Sequence, residues 1–493
     1  MALRLFNTLS GKVEEFRPLV DNEVRMYACG PTVYDYGHIG NFRTFVAVDI
    51  LRRYLRQSGF QVRHVMNITD VDDKIIRNSA QAGVSVQQYT AKYQKAFLED
   101  AAALHIEQPQ IVRATDNIAK MAEFIARLVE KGFAYRTEDG SYYFRIAKFP
   151  AYGKLSKKDF ARMEDGARVD VDEYEKDNAR DFALWKAPKP GEASWESMIG
   201  PGRPGWHIEC SVMSMQELGE SFDLHAGGED LIFPHHENEI AQSESLTGKP
   251  FAHFWFHARF LLVEGEKMSK SAGNFFTLRD LVLKGHKPSS IRYLLASVPY
   301  RNQLNFTFDG LQQAASSVER LRNFKLRLSG KFAEGSNLAM QTLAAATARR
   351  LREALDDDLN TAQAQAAIFD MVRAANAAID NGELKKDDAA PLLGALDQFD
   401  EIFSVLRDDD AEKMKYVLDW AKAEGRDKDV SPELTELVRS AALSDDRIEQ
   451  KIEDMKAARA ARDFAKSDAI RAELLANGIL IEQTKDGVRW RRK

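Results

Sequence analysis

Cysteine is scarce in this sequence: Cys29 and Cys210 are the only two among 493 residues. Two thiols so far apart cannot build the disulfide framework of a small secreted domain, so any role they have is as thiols. Long apolar runs are missing too. No window approaches the roughly eighteen consecutive apolar residues of a membrane span, and the opening MALRLFNTLSGKVEEF lacks the apolar core of a secretory signal. The expectation is a cytoplasmic protein with no membrane partner. A surplus of one charge is also absent: 69 basic residues stand against 75 acidic ones, a net charge of −6. Any contact with nucleic acid must therefore come from local patches. Proline and glycine, 14 and 29 residues, are at ordinary levels, and neither internal repeats nor low-complexity tracts occur. Collagen-like and disordered classes are excluded.

What is present is globular, with 44% apolar and 29% charged residues, and at roughly 150 residues per domain the length predicts about three domains. Val24 to Cys29 (VRMYAC) reads as a short buried strand stopped by Gly30 and Pro31. Phe45, Val48, Leu51, Tyr54 and Leu55 then recur at helical spacing up to Gly59, and VRHVMNITDVDD supplies a second strand. This β–α–β unit seeds a parallel doubly wound sheet, whose first strand-to-helix turn is where such sheets bind ligands. From about residue 115 to 200 the alternation breaks: helical NIAKMAEFIARLVEKGFAY, strand-like SYYFRI, then a charged run. Sheet signals resume in WHIECSVMS, LHAGGEDLIF and FWFHARFLLVEGE. Beyond about residue 310 the pattern is helical until one more helix, around Asp446 to Leu475, and a hairpin turning through Asp486-Gly487. The expected fold is α/β: a discontinuous Rossmann-like nucleotide-binding domain with an insertion, then a helical C-terminal region ending in a small β-hairpin. The expected units are residues 1–115 and 201–310 (catalytic), 116–200 (insertion), 311–425 (helical bundle) and 426–493.

Three constellations carry chemistry. His38-Ile39-Gly40-Asn41 sits at the strand-to-helix turn, where helix amides and dipole favour phosphate, Gly40 permits close approach of a base, and His38 can donate to a phosphate gaining charge. Glu266 to Ser271 (EKMSKS) forms a polar loop after an apolar strand, able to swing Lys267 and Lys270 onto a triphosphate. Cys29, Cys210 and HHENE, with His235 and Glu239 one helical turn apart, provide zinc-type ligands. The order HHENE is not the HExxH of zinc proteases. Asp70, Asp72 and Asp73 are expected to cap a helix rather than bind metal.

HIGN and KMSKS together are the paired signature of class I aminoacyl-tRNA synthetases. With YACGPTVYDYGHIGNFRT, NITDVDDKI, GRPGWHIECS and HAGGEDLIFPHHENEIAQ, the chain resembles the bacterial cysteinyl-tRNA synthetase family over essentially its whole length. Asn41, in place of a second histidine, is the one departure. The resemblance implies a zinc ion on Cys29, Cys210, His235 and Glu239 that takes the thiolate of L-cysteine, and ATP with Mg2+ at His38, Gly40, Asn41, Gly228, Asp230, Lys267, Ser269 and Lys270. His38, Asn41, Lys267 and Lys270 are the implied catalytic residues, and Thr32, Thr69 and Trp206 would flank the cysteine. tRNA(Cys) is the implied partner of a monomer. It would be read by a C-terminal unit carrying Lys456, Arg459, Arg462, Lys466, Arg471 and the final Arg489-Trp490-Arg491-Arg492-Lys493. Two rivals stay open on the residues alone: a cysteine ligase with an amino-sugar acceptor, and a silent RNA- or zinc-binding paralogue.

Overall fold

The structure is a computed structural model that describes residues 2–158, 181–189, 191–440, 445–484 and 487–492. The hairpin turn at Asp486, Lys493, the side chains of Arg489, Arg491 and Arg492, and part of the charged run in the insertion lie outside the described residues.

Five strands form the central sheet: β1 (Glu23–Ala28), β2 (Gln61–Ile68), β3 (Gln110–Arg113), β4 (Phe222–Gly228) and β5 (Ala252–Ala258), in the order β5-β4-β1-β2-β3. Every neighbouring pair is parallel. Parallel strands need crossovers that cover both faces, which is why these segments read as near-continuous apolar runs. From β1 the chain works outward to β3, and β4 returns on the other side of β1. Ligands bind beyond the carboxyl ends of strands where the order reverses in this way.

Helix α1 (Ile39–Gln57) follows β1 and buries Phe42, Phe45, Leu51 and Leu55 against the sheet. Asp72 caps α2 (Asp73–Ala82) by accepting the Ile75 N–H at 2.9 Å, and Asp70 accepts the N–H and hydroxyl of Thr115 at 2.9 and 2.6 Å. Helix α3 (Val86–Ala103) leads to β3. The inserted segment contains α4 (Ile118–Glu130) and an antiparallel sheet of Ala134–Arg136, Tyr142–Phe144, Phe182–Lys186 and Arg203–Pro204.

The expected strand at WHIECSVMS is instead α5 (Trp206–Leu218). His207 through Ser214 are all buried, so the segment is packed all round and carries no polar face from which a helical period could be read. Within LHAGGEDLIF only the first part is strand: Glu229–Leu231 is a tight turn leading into α6 (Glu237–Thr247). FWFHARFLLVEGE likewise divides, with Leu261–Val263 pairing Glu266–Lys267 and Leu304–Phe306 in a separate three-stranded sheet.

Helices α7 (Leu278–Leu283) and α8 (Pro288–Ala296) join the central sheet to α9 (Phe308–Leu328), α10 (Leu338–Asp356), α11 (Thr361–Asp380), α12 (Lys386–Phe403), α13 (Asp410–Ala423) and α14 (Pro432–Ser440). One apolar cluster runs through the sheet and these helices, from Leu3 to Leu437. At the joint, the fully buried Arg292 donates to Asp49 of α1 at 2.6 Å and to the carbonyl of Leu104 at 2.8 Å. Buried in this way, a guanidinium is tolerable only because its donors are satisfied.

The single tail helix expected from Asp446 to Leu475 is two, α15 (Asp445–Ala460) and α16 (Phe464–Ala476). Arg462 takes φ 63° and Asp463 caps α16 by accepting the Lys466 N–H at 3.0 Å. The break lacks glycine and proline, so only the capping aspartate marks it in sequence. The strands Ile479–Thr484 and Gly487–Arg492 pair antiparallel. With α15 and α16 they share a small core of Ile448, Ile452, Leu474 and Ile479.

Candidate active site and metal centre

The turn after β1 is built by close backbone approach. A side chain on Gly30 would meet the carbonyl oxygen of Asn67 at 1.8 Å, so no larger residue fits. His38 then caps α1: its Nδ1 accepts the Asn41 N–H at 3.2 Å, while Asn41 Oδ1 accepts the His38 N–H at 3.1 Å. Burial pulls the His38 ring down to about 4, so it is neutral near pH 7. With Nδ1 accepting, the ring proton sits on Nε2, which is thereby the donor of the pair.

The KMSKS loop meets this turn. Lys270 Nζ donates to Asp35 Oδ2 at 2.6 Å and lies 5.2 Å from the centre of the Phe275 ring. That ring stands edge-on to His38 at 5.2 Å. Met268 Cε fills the space over Gly40. Backbone pairing of His38 with Thr277, and the Ile39 N–H donating to the Phe276 carbonyl at 3.0 Å, close the junction. Ser269 is held by its N–H to Asn274 Oδ1 at 2.8 Å, and Lys267 is exposed at the loop's base. Gly228 ends β4 at the same edge of the sheet, followed by the exposed Asp230.

Beside the turn, against the adjacent strands β1 and β4, lies a buried group of metal-type donors. One ligand atom each from Cys29, Cys210, His235 and Glu239 lies within 4.8 Å of all the others. Cys29 Sγ is 3.8 Å from Cys210 Sγ, and His235 Nε2 is 3.0 Å from Glu239 Oε1. Both thiols are free. Burial pushes both thiols up, but the Cys29 S–H stabilises the neighbouring thiolate and brings Cys210 down to about 6. Burial opposes the charge on Glu239 and on His235, yet His225 and His235 hold the carboxyl down to about 2 while Glu239 lifts His235 to about 10. Near pH 7 Cys210 and Glu239 are thus in the deprotonated forms that ligate, while Cys29 and His235 hold protons that a bound metal would displace.

A second set, Cys29, His225, His236 and Glu239, overlaps the first. His236 Nε2 lies 3.2 Å from Cys29 Sγ, and its Nδ1 meets His257 Nε2 at 2.8 Å. His225 Nε2 meets Glu239 Oε2 at 2.8 Å while its ring stacks on Trp255 with centres 4.6 Å apart. His207 Nδ1 faces His235 Nδ1 at 3.0 Å. Glu237, the charged residue inside HHENE, is turned away to accept the backbone N–H groups of Gly153 and Ser156 at 2.9 and 2.8 Å, tying the inserted segment to α6.

Trp206 opens α5 with its ring stacked on His235, centres 4.3 Å apart, and is 39% exposed. It therefore stands at the surface beside the buried cluster rather than in the core. Thr32 and Thr69 are backbone partners. Thr69 Oγ1 donates to Glu209 at 2.8 Å and accepts from Asn67, whose Oδ1 holds the Gly30 N–H at 2.8 Å. Burial raises the Glu209 carboxyl well above the usual range.

Residues 15–316 match the class I (C) tRNA synthetase catalytic domain, and residues 350–407 match the DALR domain. A cysteine–tRNA ligase of Koribacter versatilis (strain Ellin345) is 69% identical over 495 residues, with 100% of each chain covered. The chain belongs to the cysteine–tRNA ligase family. A second cysteine–tRNA ligase, from Solibacter usitatus (strain Ellin6076), is 55% identical with the same coverage. The Mycobacterium tuberculosis methionyl-tRNA synthetase in complex with methionyl-adenylate superposes with a TM-score of 0.56 at 16% identity, covering 86% of this chain and 95% of that one. At that identity the likeness speaks for the class I fold. Matches of full length to cysteine–tRNA ligases disfavour the amino-sugar and silent readings.

In this ligase the residues that sequence reasoning missed are the supporting histidines His207, His225, His236 and His257. The segments WHIECS, LHAGG and FWFHA contain His207, His225 and His257. The signal available was a histidine within each apolar strand or at the start of the adjoining helix. Among the described residues no helix is long and apolar enough to cross a membrane.

Proposed function

We propose that the protein activates L-cysteine with ATP to cysteinyl-adenylate, releases pyrophosphate, and passes cysteine to the 3′ end of tRNA(Cys). Cys29, Cys210, His235 and Glu239 would hold one zinc ion and so present it to the substrate thiol. The observation that carries this reading is a thiol-rich, fully buried ligand set at the end of the strand whose following turn presents His38. A tetrahedron with zinc–sulfur bonds of about 2.3 Å has sulfur–sulfur edges of roughly 3.8 Å, and Cys29 and Cys210 are 3.8 Å apart. Zinc supplies a Lewis acid that prefers thiolate to alcohol, where packing alone discriminates near isosteres by only about 10–200-fold.

The chain's own residues do the rest. The carboxylate of cysteine attacks the α-phosphorus of ATP, and the bond to pyrophosphate breaks as the acyl–phosphate bond forms. No side chain becomes covalently attached. His38 Nε2 donates to phosphate oxygens as their charge grows, and Lys267 and Lys270 neutralise the departing pyrophosphate, with Mg2+ accompanying ATP. Gly40, Asn41, Ser269, Gly228 and Asp230 border the nucleotide, and Thr32, Thr69 and Trp206 border the cysteine. In the second step a terminal ribose hydroxyl of tRNA attacks the acyl carbon and AMP leaves.

In this reading residues 1–115 and 201–310 act as the catalytic unit, 116–200 as the insertion and 311–425 as the helical unit. Residues 426–493 read the anticodon, with Lys456, Arg459, Arg462, Lys466 and Arg471 on phosphates and Trp490 available for base stacking. The protein works as a monomer in the cytoplasm, where both thiols stay reduced. Purified protein is expected to show cysteine-dependent ATP–pyrophosphate exchange and to charge tRNA but not an amino sugar. Absence of exchange would overturn the reading, and cysteine found on the amino sugar alone would change the acceptor.

A further inference from the structure

We propose that Arg279 is a positioning residue for adenylate formation: from outside the nucleotide crevice it locks the turn carrying His38, the segment leaving the KMSKS loop and α13 into one arrangement. The inference rests on the activation reaction above.

Arg279 is the second residue of α7, and the cap of that helix, Thr277, is the residue whose backbone pairs with His38. Its guanidinium is 2% exposed and donates to Asp100 Oδ1 at 2.9 Å and Glu99 Oε2 at 2.8 Å, both on α3. It also lies 5.2 Å from the ring centre of Tyr36, 5.0 Å from Tyr416 and 5.3 Å from Trp420. Three different places in the chain therefore meet on one planar cation: α3, α13, and a tyrosine two residues ahead of His38.

Tyr36 is clamped in turn. Its ring stands edge-on to Tyr93 at 5.2 Å and Trp420 at 5.3 Å, and its hydroxyl donates to Glu424 at 3.2 Å. Just beyond α13, Arg426 donates to Asp280 at 2.8 Å and lies 5.2 Å from the Trp420 ring. So α13 and its C-terminal extension grip two successive residues of α7 and the start of the His38 turn together.

Stability alone is a poor account of such a cluster, because a buried ion pair is often matched or surpassed by apolar residues of the same volume. What a guanidinium does that apolar groups and lysine do not is fix several partners in register, by a rigid fork and by stacking on aromatic faces. His38 and Lys270 must act on the same triphosphate, and a misplacement of about 1 Å in such an arrangement costs about 10²-fold in rate. Arg279 touches neither group, yet it is held by the elements that set their separation.

The test compares the full-length wild type with Arg279→Lys, with the paired change Arg279→Met and Asp100→Asn, which removes both buried charges together, and with Trp420→Leu. Steady-state ATP–pyrophosphate exchange gives kcat and the KM values for cysteine and ATP, and thermal midpoints report folding. In the Arg279 variants kcat should fall about tenfold to a hundredfold while KM for cysteine stays within about twofold, and Trp420→Leu should move in the same direction. Variants with an unaltered midpoint and wild-type kcat overturn the proposal, as does a loss of kcat that disappears when an osmolyte restores the midpoint. Should the Arg279 variants not fold, the half-buried Trp420→Leu decides by the same criteria. A wild-type protein without exchange would refute the activation reading, and this inference with it.

Discussion

Replacing Cys210 with serine separates ligand chemistry from packing. The side chain is 1% exposed, with Sγ 3.8 Å from Cys29 Sγ. Oxygen for sulfur leaves the volume nearly unchanged, so the folding cost is that of one buried hydroxyl, about 1–3 kcal/mol. The larger effect is on the metal. Loss of even a supporting partner costs about 10–100-fold in affinity, so loss of a thiolate ligand should cost at least about 10²-fold, or roughly 2.7 kcal/mol. Wild-type protein should reject serine by at least about 10⁴-fold, roughly 5.5 kcal/mol, of which packing supplies only about 1–3 kcal/mol. The cysteine-to-serine ratio in Cys210→Ser should therefore drop toward the packing limit, while ATP binding changes little. The assay is pyrophosphate exchange with each amino acid in wild-type, variant and chelator-stripped protein, alongside zinc content. Equal ratios in intact and stripped protein would show that a metal at Cys29, Cys210, His235 and Glu239 does not select the substrate.

Lys270→Ala, which removes the ammonium now resting on Asp35, should slow single-turnover activation by about 10²-fold or more, roughly 3 kcal/mol; an unchanged rate would take Lys270 out of the mechanism. Truncation after Ser440 should preserve exchange and abolish tRNA charging, because Leu434 and Leu437 belong to the main core while Ile448, Ile452, Leu474 and Ile479 form their own. Normal charging by the truncated chain would refute the anticodon assignment. His64 is buried with neither ring nitrogen bonded, and burial lowers it to about 3. The unfolded chain takes up a proton that the folded chain refuses, so stability present above about pH 6.5 is lost as pH falls toward 3, by about 2 kcal/mol at pH 5. His64→Leu should flatten the acid side of the thermal-midpoint profile, and an unaltered profile would show that His64 protonates freely in the fold.

The parallel sheet was legible because β1 and β2 are buried on both faces and bounded by glycine and proline, with one amphipathic helix between them. The same property hid α5. Once a segment is buried all round, as His207 to Ser214 are, helix and strand differ only in length and flanks, and WHIECS has flanking glycine and tryptophan that suit either. The split between α15 and α16 was hidden for the opposite reason, since Ala461 and Arg462 are ordinary helix formers and the break depends on Asp463 capping the second helix. The HIGN and KMSKS motifs could be read as sequence, but not their contact: Met268 over Gly40 and Phe275 against His38 join residues more than two hundred positions apart through a loop whose path no local pattern specifies.

The metal-type donors show the same division. Cys29, Cys210, His235 and Glu239 stand out by residue type, whereas His225 and His257 become neighbours of the site only through the register of β4 and β5, in which Gly227 pairs with His257. That register bears on how the proposed four-residue metal site would admit a substrate thiolate, because a closed tetrahedron has no vacant position. Cys29 Sγ and the His235 ring each have one further histidine neighbour, His236 at 3.2 Å and His207 at 3.0 Å. Glu239 differs: its Oε2 is already received by His225 at 2.8 Å, and only Oε1 faces His235 and Cys29. With a histidine donor already on Oε2, Glu239 would be the residue of the four whose withdrawal from a bound metal costs least, since its charge would not be left buried and unpaired. His225, which would make that withdrawal tolerable, comes from β4, a strand that contributes no residue of its own to the first set.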